Sequence, residues 1–246
     1  MSFDRERLGS GALPIWVVHE HEARWRFASE LVANKVVVDC ACGVGEGTRL
    51  FAEAGALHVH AFDLSDEAVA ETRRRCSALT NVTATPASAL ALPLPDASAD
   101  LFVSFETIEH LDDERGFLAE VTRVLVRDGM LLCSTPNRSI TMPGKILSDK
   151  PWNPFHVREF NQAEFEARLR ERFDTVRVLG QNAIPVWRVQ LLERLGRGLP
   201  GHLGGRINSA LKLPRLAYDR IEHHLVGDIP DRRACEYLVA ICTNPK

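Results

Sequence analysis

The chain has 246 residues, a formal net charge of −3 and 45% hydrophobic residues. This length suits one α/β domain, which can bury a full core without disulfides or metal ions to hold it. A slightly acidic chain is not expected to bind nucleic acid in general, and no run of about 18 apolar residues predicts a membrane span.

The N-terminal residues and the cysteines both favour the cytoplasm. The first seven residues include acidic side chains and lack the apolar core of a secretory signal. Several of the six cysteines lie in apolar, strand-like runs, which is typical of small buried side chains in a reducing compartment. We therefore expect a cytoplasmic protein with free cysteines.

Apolar runs alternate with helical patterns from about residue 35 to 180, which predicts a parallel sheet with crossover helices. An amphipathic helix is predicted over 18–28, ahead of the first strand. The predicted strands lie at 36–38, 57–62, 101–105, 130–134, 175–179 and 236–243.

The helices between these strands carry ordinary capping signals. Ser65 is a predicted N-cap, because two acidic residues follow it and three arginines lie in the last turn of its helix. Further helices are predicted around 117–125 and over 164–172. Residues 184–233 form a predicted helical insertion with nine basic and five acidic residues, which suits a substrate lid or a dimer contact.

The strongest local motif is a glycine loop. A β-branched strand runs into Gly43, Gly45 and Gly47, and a helix begins near Thr48. Glycines let the backbone approach a ligand closely at the carboxyl end of the first strand, where doubly wound sheets bind ligands. The spacing is not that of a dinucleotide-binding loop, because Thr48 stands where a third glycine is required.

Two aspartates flank this loop in the sequence. Asp39, just before it, suits a cationic ligand group better than a pyrophosphate, and Asp63, about 20 residues on, can accept hydrogen bonds from both ribose hydroxyls of a nucleotide. The competing interpretation is a simple tight turn with Asp63 as an ordinary loop residue.

With Leu92-Pro93-Leu94-Pro95-Asp96, Glu109-His110-Leu111 and Arg123-Val124-Leu125, the pattern resembles the class I S-adenosylmethionine (SAM)-dependent methyltransferases over about residues 21–180 and the last strand. The resemblance implies a doubly wound, seven-stranded Rossmann-like α/β fold. It also implies one methyltransferase domain over 1–246, with the 184–233 insertion placed before the last strand.

The resemblance implies SAM as the cofactor. The glycine loop would hold its methionine part, Asp63 its ribose, and the stretch at Ser88 its adenine. The N-terminal helix could close over SAM or its carboxylate through Arg24. The residues expected at SAM are Asp39, Ala41, Gly43, Gly45, Asp63, Leu64, Ser88, Ala89, Phe105 and Arg24.

A second cluster is expected beside the SAM site. Glu106 ends the strand over 101–105, and Glu109 and His110 follow at i+3 and i+4, on one side of a helical turn. His156 lies in a loop after the fifth strand, which in a doubly wound sheet opens onto the same edge. Two carboxylates and two imidazoles are suitable ligands for a divalent ion, with Mg²⁺ or Mn²⁺ expected.

This cluster is similar to the metal site of small-RNA 3′-terminal 2′-O-methyltransferases. By position, the metal ligands would be Glu106, Glu109, His110 and His156, and the catalytic residues His110, His156 and Glu106. The ion would bind two neighbouring hydroxyls, and a histidine would take the proton. Without metal, the same histidines could act as general bases.

Other segments resemble methyltransferases of bacterial glycan and O-antigen gene products, among them Glu20-His21-Glu22-Ala23-Arg24-Trp25 and Asn153-Pro154-Phe155-His156. We therefore expect an O-methyltransferase that acts on a sugar or oligosaccharide hydroxyl, without nucleic acid or a membrane span, and as a homodimer if the insertion makes the contact. The alternatives are a catechol-like or polyketide acceptor, an RNA ribose, and a non-catalytic SAM-binding subunit.

Overall fold

A computed structural model describes residues 15–196 and 226–246. Within these ranges, seven strands form one sheet in the order β3-β2-β1-β4-β5-β7-β6, and β7 is antiparallel to both of its neighbours. This confirms the predicted doubly wound Rossmann-like α/β fold.

The strands and helices follow each other along the chain as the alternating pattern predicts. The strands are β1 (Val36–Cys40), β2 (His58–Asp63), β3 (Val82–Pro86), β4 (Ala99–Phe105), β5 (Leu125–Pro136), β6 (Phe173–Pro185) and β7 (Arg233–Pro245). The helices are α1 (Ile15–Ser29), α2 (Glu46–Glu53), α3 (Asp66–Arg75), α4 (Glu114–Val124), α5 (Arg138–Thr141), α6 (Gln162–Arg170) and α7 (Val186–Gly196), and a 3₁₀ turn spans Ile108–His110.

The predicted capping of α3 is confirmed. The Ser65 hydroxyl accepts a hydrogen bond from the Ala68 backbone N–H at 3.3 Å, and Asp66 opens the first turn. The sequence analysis does not predict β3, although the alternation in Val82-Thr83-Ala84-Thr85 is typical of a strand. α2 begins at Glu46, two residues before the predicted start.

The sheet is covered on both faces, which explains why its central strands are apolar throughout. Val37 and Val38 are both fully buried, and they belong to two different apolar clusters because neighbouring strand residues point to opposite faces. Phe117 and Phe165 come from α4 and α6 and pack in the cluster of Val38, whereas Phe51 from α2 packs in the cluster of Val37.

The prediction for the insertion is settled only in part. The predicted helix at 186–196 is α7, whereas the predicted helix at 206–224 lies outside the described residues, so the role of the insertion stays a prediction. The six cysteines are all free and buried. Across the described ranges, no helix combines the length and the apolar character that a membrane crossing requires.

The strand order places the functional loops. β1 and β4 lie side by side and run parallel, with Asp39 opposite Val103, so both strands end at the same edge of the sheet. The chain leaves β1 toward β2 on one side and leaves β4 toward β5 on the other. The resulting crevice lies between the glycine loop and the segment that begins at Glu106, and such crevices bind ligands in doubly wound folds.

Candidate active site at the carboxyl edge of the sheet

The glycine loop has the backbone conformation that its sequence predicts. Gly43 and Gly45 have φ angles of 56° and 82°, in the left-handed region that glycine adopts without strain. A Cβ on Gly45 would lie 2.8 Å from side-chain atoms of Thr72, whose hydroxyl donates to the Gly43 carbonyl at 3.0 Å. Ala41 has φ 62°, and such strain in a non-glycine residue is typical of functional loops.

The carboxylate of Asp63 ties the loop after β2 to the glycine loop. Its Oδ2 accepts from the Gly43 backbone N–H at 3.0 Å, and its Oδ1 accepts from the Ser65 N–H at the same distance. The predicted ribose-binding carboxylate therefore lies directly against the predicted methionine-binding loop.

Asp39 is buried below the loop. Its Oδ2 accepts from the Thr48 hydroxyl at 2.6 Å, which connects the end of β1 to the first turn of α2. Burial raises the pKa of this carboxyl to about 7; the Thr48 hydrogen bond lowers it, while the nearby Asp63 carboxylate adds to the rise. A bound cation would favour the ionised form of such a group.

The remaining residues expected at SAM surround this loop. Leu64 follows Asp63 with 79% of its surface exposed, which leaves an apolar side chain uncovered beside the expected ribose position. Ala87 donates from its backbone to the Asp63 carbonyl, so Ser88 and Ala89 lie near the same loop. Phe105, at the end of β4, is half-buried against the cluster of Val37.

Glu106 begins the segment on the other side of the crevice. It has a left-handed backbone, with φ 53°, and its Oε1 accepts from the Ser134 hydroxyl at 2.6 Å. Its backbone N–H also donates to the Ser134 carbonyl, at 3.2 Å. The Glu106 side chain is therefore held at the tips of β4 and β5.

Glu109 is fully buried in the 3₁₀ turn. Its Oε2 accepts from the Thr135 hydroxyl at 3.1 Å, whereas its Oε1 has no hydrogen-bond partner within the described residues. Burial, followed by the charge of Glu106, raises the pKa of this carboxyl well above its ordinary value. A buried carboxyl oxygen without a hydrogen-bond partner lowers the stability of the folded chain, and a bound cation or donor would offset this loss.

Two histidines lie beside Glu109. The Nδ1 atom of His110 is 3.0 Å from the Phe155 carbonyl oxygen, so Nδ1–H donates and Nε2 carries the lone pair. The His110 and His156 rings meet edge to face with their centroids 4.8 Å apart. The backbone N–H of Val157 donates to the Glu109 carbonyl, which attaches the His156 loop to the 3₁₀ turn.

The structure thus brings three of the four predicted ligands together. Ligand atoms of Glu109, His110 and His156 lie within 4.8 Å of one another. Two ligands of one ion at about 2.2 Å are at most about 4.4 Å apart, so a small inward movement would complete a site. The Glu106 carboxylate is outside this group, because its left-handed backbone directs it to Ser134 instead of along one helical face.

Arg24 lies on α1 and is completely buried against the far strands of the sheet. Its Nη1 donates to the Gln181 side-chain oxygen at 2.5 Å, and its guanidinium carbon lies 4.8 Å from the centre of the Tyr237 ring. Among the described residues, its Nε and Nη2 atoms have no hydrogen-bond partner. Tyr237 is opposite Pro136, at the carboxyl end of β5, so this guanidinium lies at the functional edge.

Sequence reasoning missed two groups of buried polar residues here. Glu20 accepts from the Tyr237 hydroxyl at 2.9 Å and from the Asn182 amide at 2.7 Å, which links α1 to β6 and β7. Burial and the charge of Glu236 raise the pKa of Glu20 to about 7, against the opposing charge of Arg24. The second group surrounds His156 and includes the carboxylate of Glu159. The sequence signal for this contact is a glutamate three residues after the histidine.

Comparisons with known proteins identify methyltransferases among the proteins that this chain resembles. Residues 38–133 match the model of a family described as a methyltransferase domain. The chain is similar to proteins named as S-adenosylmethionine-dependent methyltransferases in Mycolicibacterium smegmatis and Mycobacterium tuberculosis, at 40% and 44% identity over 149 residues, or 61% of the chain. A demethylmenaquinone methyltransferase of Tropheryma whipplei is 31% identical over 115 residues, 45% of this chain and 47% of that protein.

Solved structures show the same fold. The YcgJ protein of Bacillus subtilis superposes with a TM-score of 0.61 at 17% identity, over 92% of this chain and all of that one.

The chain spans about half the length of the mycobacterial relatives, 55% and 52%. The matched part of the chain, residues 38–133, is similar to methyltransferase domains, and the mycobacterial relatives are named as S-adenosylmethionine-dependent.

The raised pKa of Glu20 predicts a pH-dependent stability. The folded state keeps the Glu20 proton up to about pH 7, whereas the unfolded chain loses it near its ordinary pKa of 4.5. The contribution of Glu20 to the free energy of unfolding therefore decreases from about pH 4.5 to 7, by at most about 3–4 kcal/mol at about 1.4 kcal/mol per pKa unit. In Glu20→Gln this contribution is absent, so urea unfolding at pH 5 and pH 8 should differ less than in the wild type.

Glu22→Gln is the matched control, because Glu22 lies on the same helix in a surface ion pair with Arg26. Its pH profile should follow the wild type. Parallel profiles for all three proteins would contradict the raised pKa.

Proposed function

We propose that this chain transfers the methyl group of SAM to a hydroxyl oxygen of a sugar or oligosaccharide, with the help of a divalent cation. The observation that carries the proposal is the group formed by Glu109, His110 and His156 at the carboxyl edge of the sheet. It lies across the crevice from a glycine loop of the kind that holds SAM in this family.

The cofactor side of the proposal uses the glycine loop and its carboxylates. Asp63 receives the ribose hydroxyls on its carboxylate, which also accepts from the backbone N–H groups of Gly43 and Ser65. Leu64 offers an apolar surface to the adenine, and Asp39 favours the cationic methionine end of SAM. These roles combine close backbone approach with a negative charge where the ligand is positive.

Arg24 supplies the opposite charge. A buried guanidinium with two unpaired nitrogens favours an anionic ligand, because a buried donor without a partner is costly. The carboxylate of SAM is the anionic group expected near this edge. We therefore assign Arg24 to the cofactor carboxylate, with Tyr237 as the surface on which its guanidinium packs.

The acceptor side requires an activated oxygen. A sugar hydroxyl gives up its proton only weakly near neutral pH, whereas SAM already carries a good leaving group, so positioning and deprotonation are the main tasks of the protein. The Nε2 atom of His110 carries a lone pair and can take the proton of an acceptor hydroxyl where it does not hold the cation. Glu106, which accepts from the Ser134 hydroxyl, can orient the same hydroxyl.

The donor set fits a divalent cation. The orphaned oxygen of Glu109 favours a hard ion such as Mg²⁺, and the two imidazoles favour Mn²⁺. When bound, the ion would supply positive charge that lowers the pKa of a coordinated hydroxyl. Glu109, His110 and His156 would hold it, and Glu106 would join only after leaving Ser134.

A phenolic or quinol acceptor is the second candidate. It is favoured by the 31% identity to a demethylmenaquinone methyltransferase over 115 residues. Such an acceptor is more acidic than a sugar hydroxyl and needs less help from a metal ion.

The deciding experiment is a transfer screen with tritiated SAM. Mono- and oligosaccharides form one panel and phenols and quinols the other, each with EDTA, with EDTA followed by excess Mn²⁺, or with neither. The proposal predicts label on a sugar, lost with EDTA and restored by Mn²⁺. Label on the phenolic panel alone would overturn the sugar acceptor. Equal transfer rates with and without EDTA would exclude a role for the cation.

His156→Ala should separate catalysis from cofactor binding. The variant should bind SAM within about twofold of the wild type, whereas methyl transfer should fall by about 100-fold or more, which is the usual size of such a contribution. Isothermal titration with SAM and the tritium assay measure the two effects. His58→Ala, on β2 at the opposite end from the site, is the control and should leave both unchanged; equal transfer by both variants would contradict the role of His156.

Arg24→Met should have the opposite effect and weaken the binding of SAM. Losing charge-assisted hydrogen bonds worth about 1.5–3 kcal/mol corresponds to about 10- to 100-fold in the dissociation constant. Arg26→Met, an exposed arginine on the same helix, is the control. Equal SAM affinity in both variants, with melting temperatures confirming that both are folded, would exclude Arg24 from the cofactor site.

A further inference from the structure

The carboxylate of Glu159 is in contact with the His156 ring. Its Oε1 lies 2.6 Å from Nδ1 of His156, and only 3% of the Glu159 side chain is exposed. We propose that Glu159 is a positioning residue that holds His156 as the tautomer with a proton on Nδ1, so that Nε2 meets the acceptor or the divalent ion. This inference rests on the proposed function.

Glu159 is itself held from several sides. The Thr141 hydroxyl donates to its Oε2, and the buried Arg138 guanidinium donates to its backbone carbonyl at 2.9 Å. The next residue, Phe160, accepts from the Arg138 backbone N–H at 2.8 Å. The carboxylate therefore starts from a fixed position beyond β5, which is what orienting a second side chain requires.

A second, independent contact selects the same tautomer. The Asn153 side-chain oxygen accepts from the Phe155 N–H at 3.1 Å, which turns the amide nitrogen toward His156. That nitrogen lies 2.9 Å from His156 Nε2 and can only donate, so Nε2 must carry the lone pair. The contacts with Glu159 and with Asn153 thus both favour the tautomer with its proton on Nδ1 of His156.

The tautomer matters because Nε2 is the atom for the chemistry. A histidine that donates its other N–H to a carboxylate has a fixed ring orientation and a more basic second nitrogen. The Asn153 amide donates to this lone pair, and an acceptor proton or a cation would take its place. His110 has the same tautomer through the Phe155 carbonyl, and a nitrogen of each ring lies within 4.8 Å of a Glu109 carboxylate oxygen.

A purely structural role for Glu159 predicts different results. In that case its contacts with His156 and Thr141 only fasten the loop, and removing the charge changes stability without changing the tautomer. Glu164 provides the matched control. It pairs with Arg138 at 2.6 Å and caps α6, but none of its hydrogen bonds or ion pairs involves His156.

The test uses protein labelled with ¹⁵N-histidine, without added metal, at pH 8. A two-bond ¹H–¹⁵N spectrum reports which ring nitrogen carries the proton, and the His156 signal is identified by its loss in His156→Ala. The wild type and Glu164→Gln should show the proton on Nδ1. Glu159→Gln should shift the population toward Nε2–H, because the Gln side chain can present an amide N–H to Nδ1.

Mn²⁺ titration gives the second readout. Where the wild type binds the ion, Glu159→Gln should bind it about 10- to 100-fold more weakly, as expected for loss of a partner that orients a ligand. Glu159→Asp, which keeps the charge, should recover part of the affinity and of the tautomer, and it serves as the test protein if the Gln variant does not fold.

An unchanged tautomer in Glu159→Gln, or an equal change in Glu164→Gln, would overturn the inference. So would unchanged Mn²⁺ affinity. If the wild type binds no Mn²⁺, the metal part of the proposed function fails instead, and the tautomer alone decides the role of Glu159.

Discussion

The parallel pairing of β1 with β4 is the constraint on which the site depends. Because both strands end at one edge and their connections leave in opposite directions, a crevice opens between the glycine loop and Glu106. The pairing of β4 with β5 places Ser134 beside Phe105 at the same edge. A shift in any of these registers would separate the cofactor residues from the acceptor residues.

The site gathers carboxyl groups that burial disfavours in their charged form. Burial raises the pKa values of Asp39, Glu20 and Glu109, and each lies at or beside the functional edge. Such groups lower the stability of the folded chain unless a ligand or partner compensates them. Their concentration at one edge is typical of functional sites and is consistent with a ligand that brings positive charge.

The fold was largely predictable because its signals are local. The apolar runs of β1 and β4 and the Ser65 cap each depend on a few neighbouring residues, and the structure confirms them. The grouping of Glu109, His110 and His156 also followed from where parallel strands end. The position of Glu106 did not, since it depends on a left-handed backbone and on Ser134 across the sheet. The contacts of Glu20 and Arg24 were not predictable either, because their partners on β6 and β7 are about 160 or more residues away in the sequence.

In the proposed site, cofactor and acceptor groups face each other across this crevice. A crystal structure with S-adenosylhomocysteine and Mn²⁺ tests it most directly. We expect the ribose hydroxyls on the Asp63 carboxylate and the thioether sulfur on the side of Glu109, His110 and His156. A ligand whose sulfur faces away from these three side chains, or that leaves Asp63 without contact, would contradict the account.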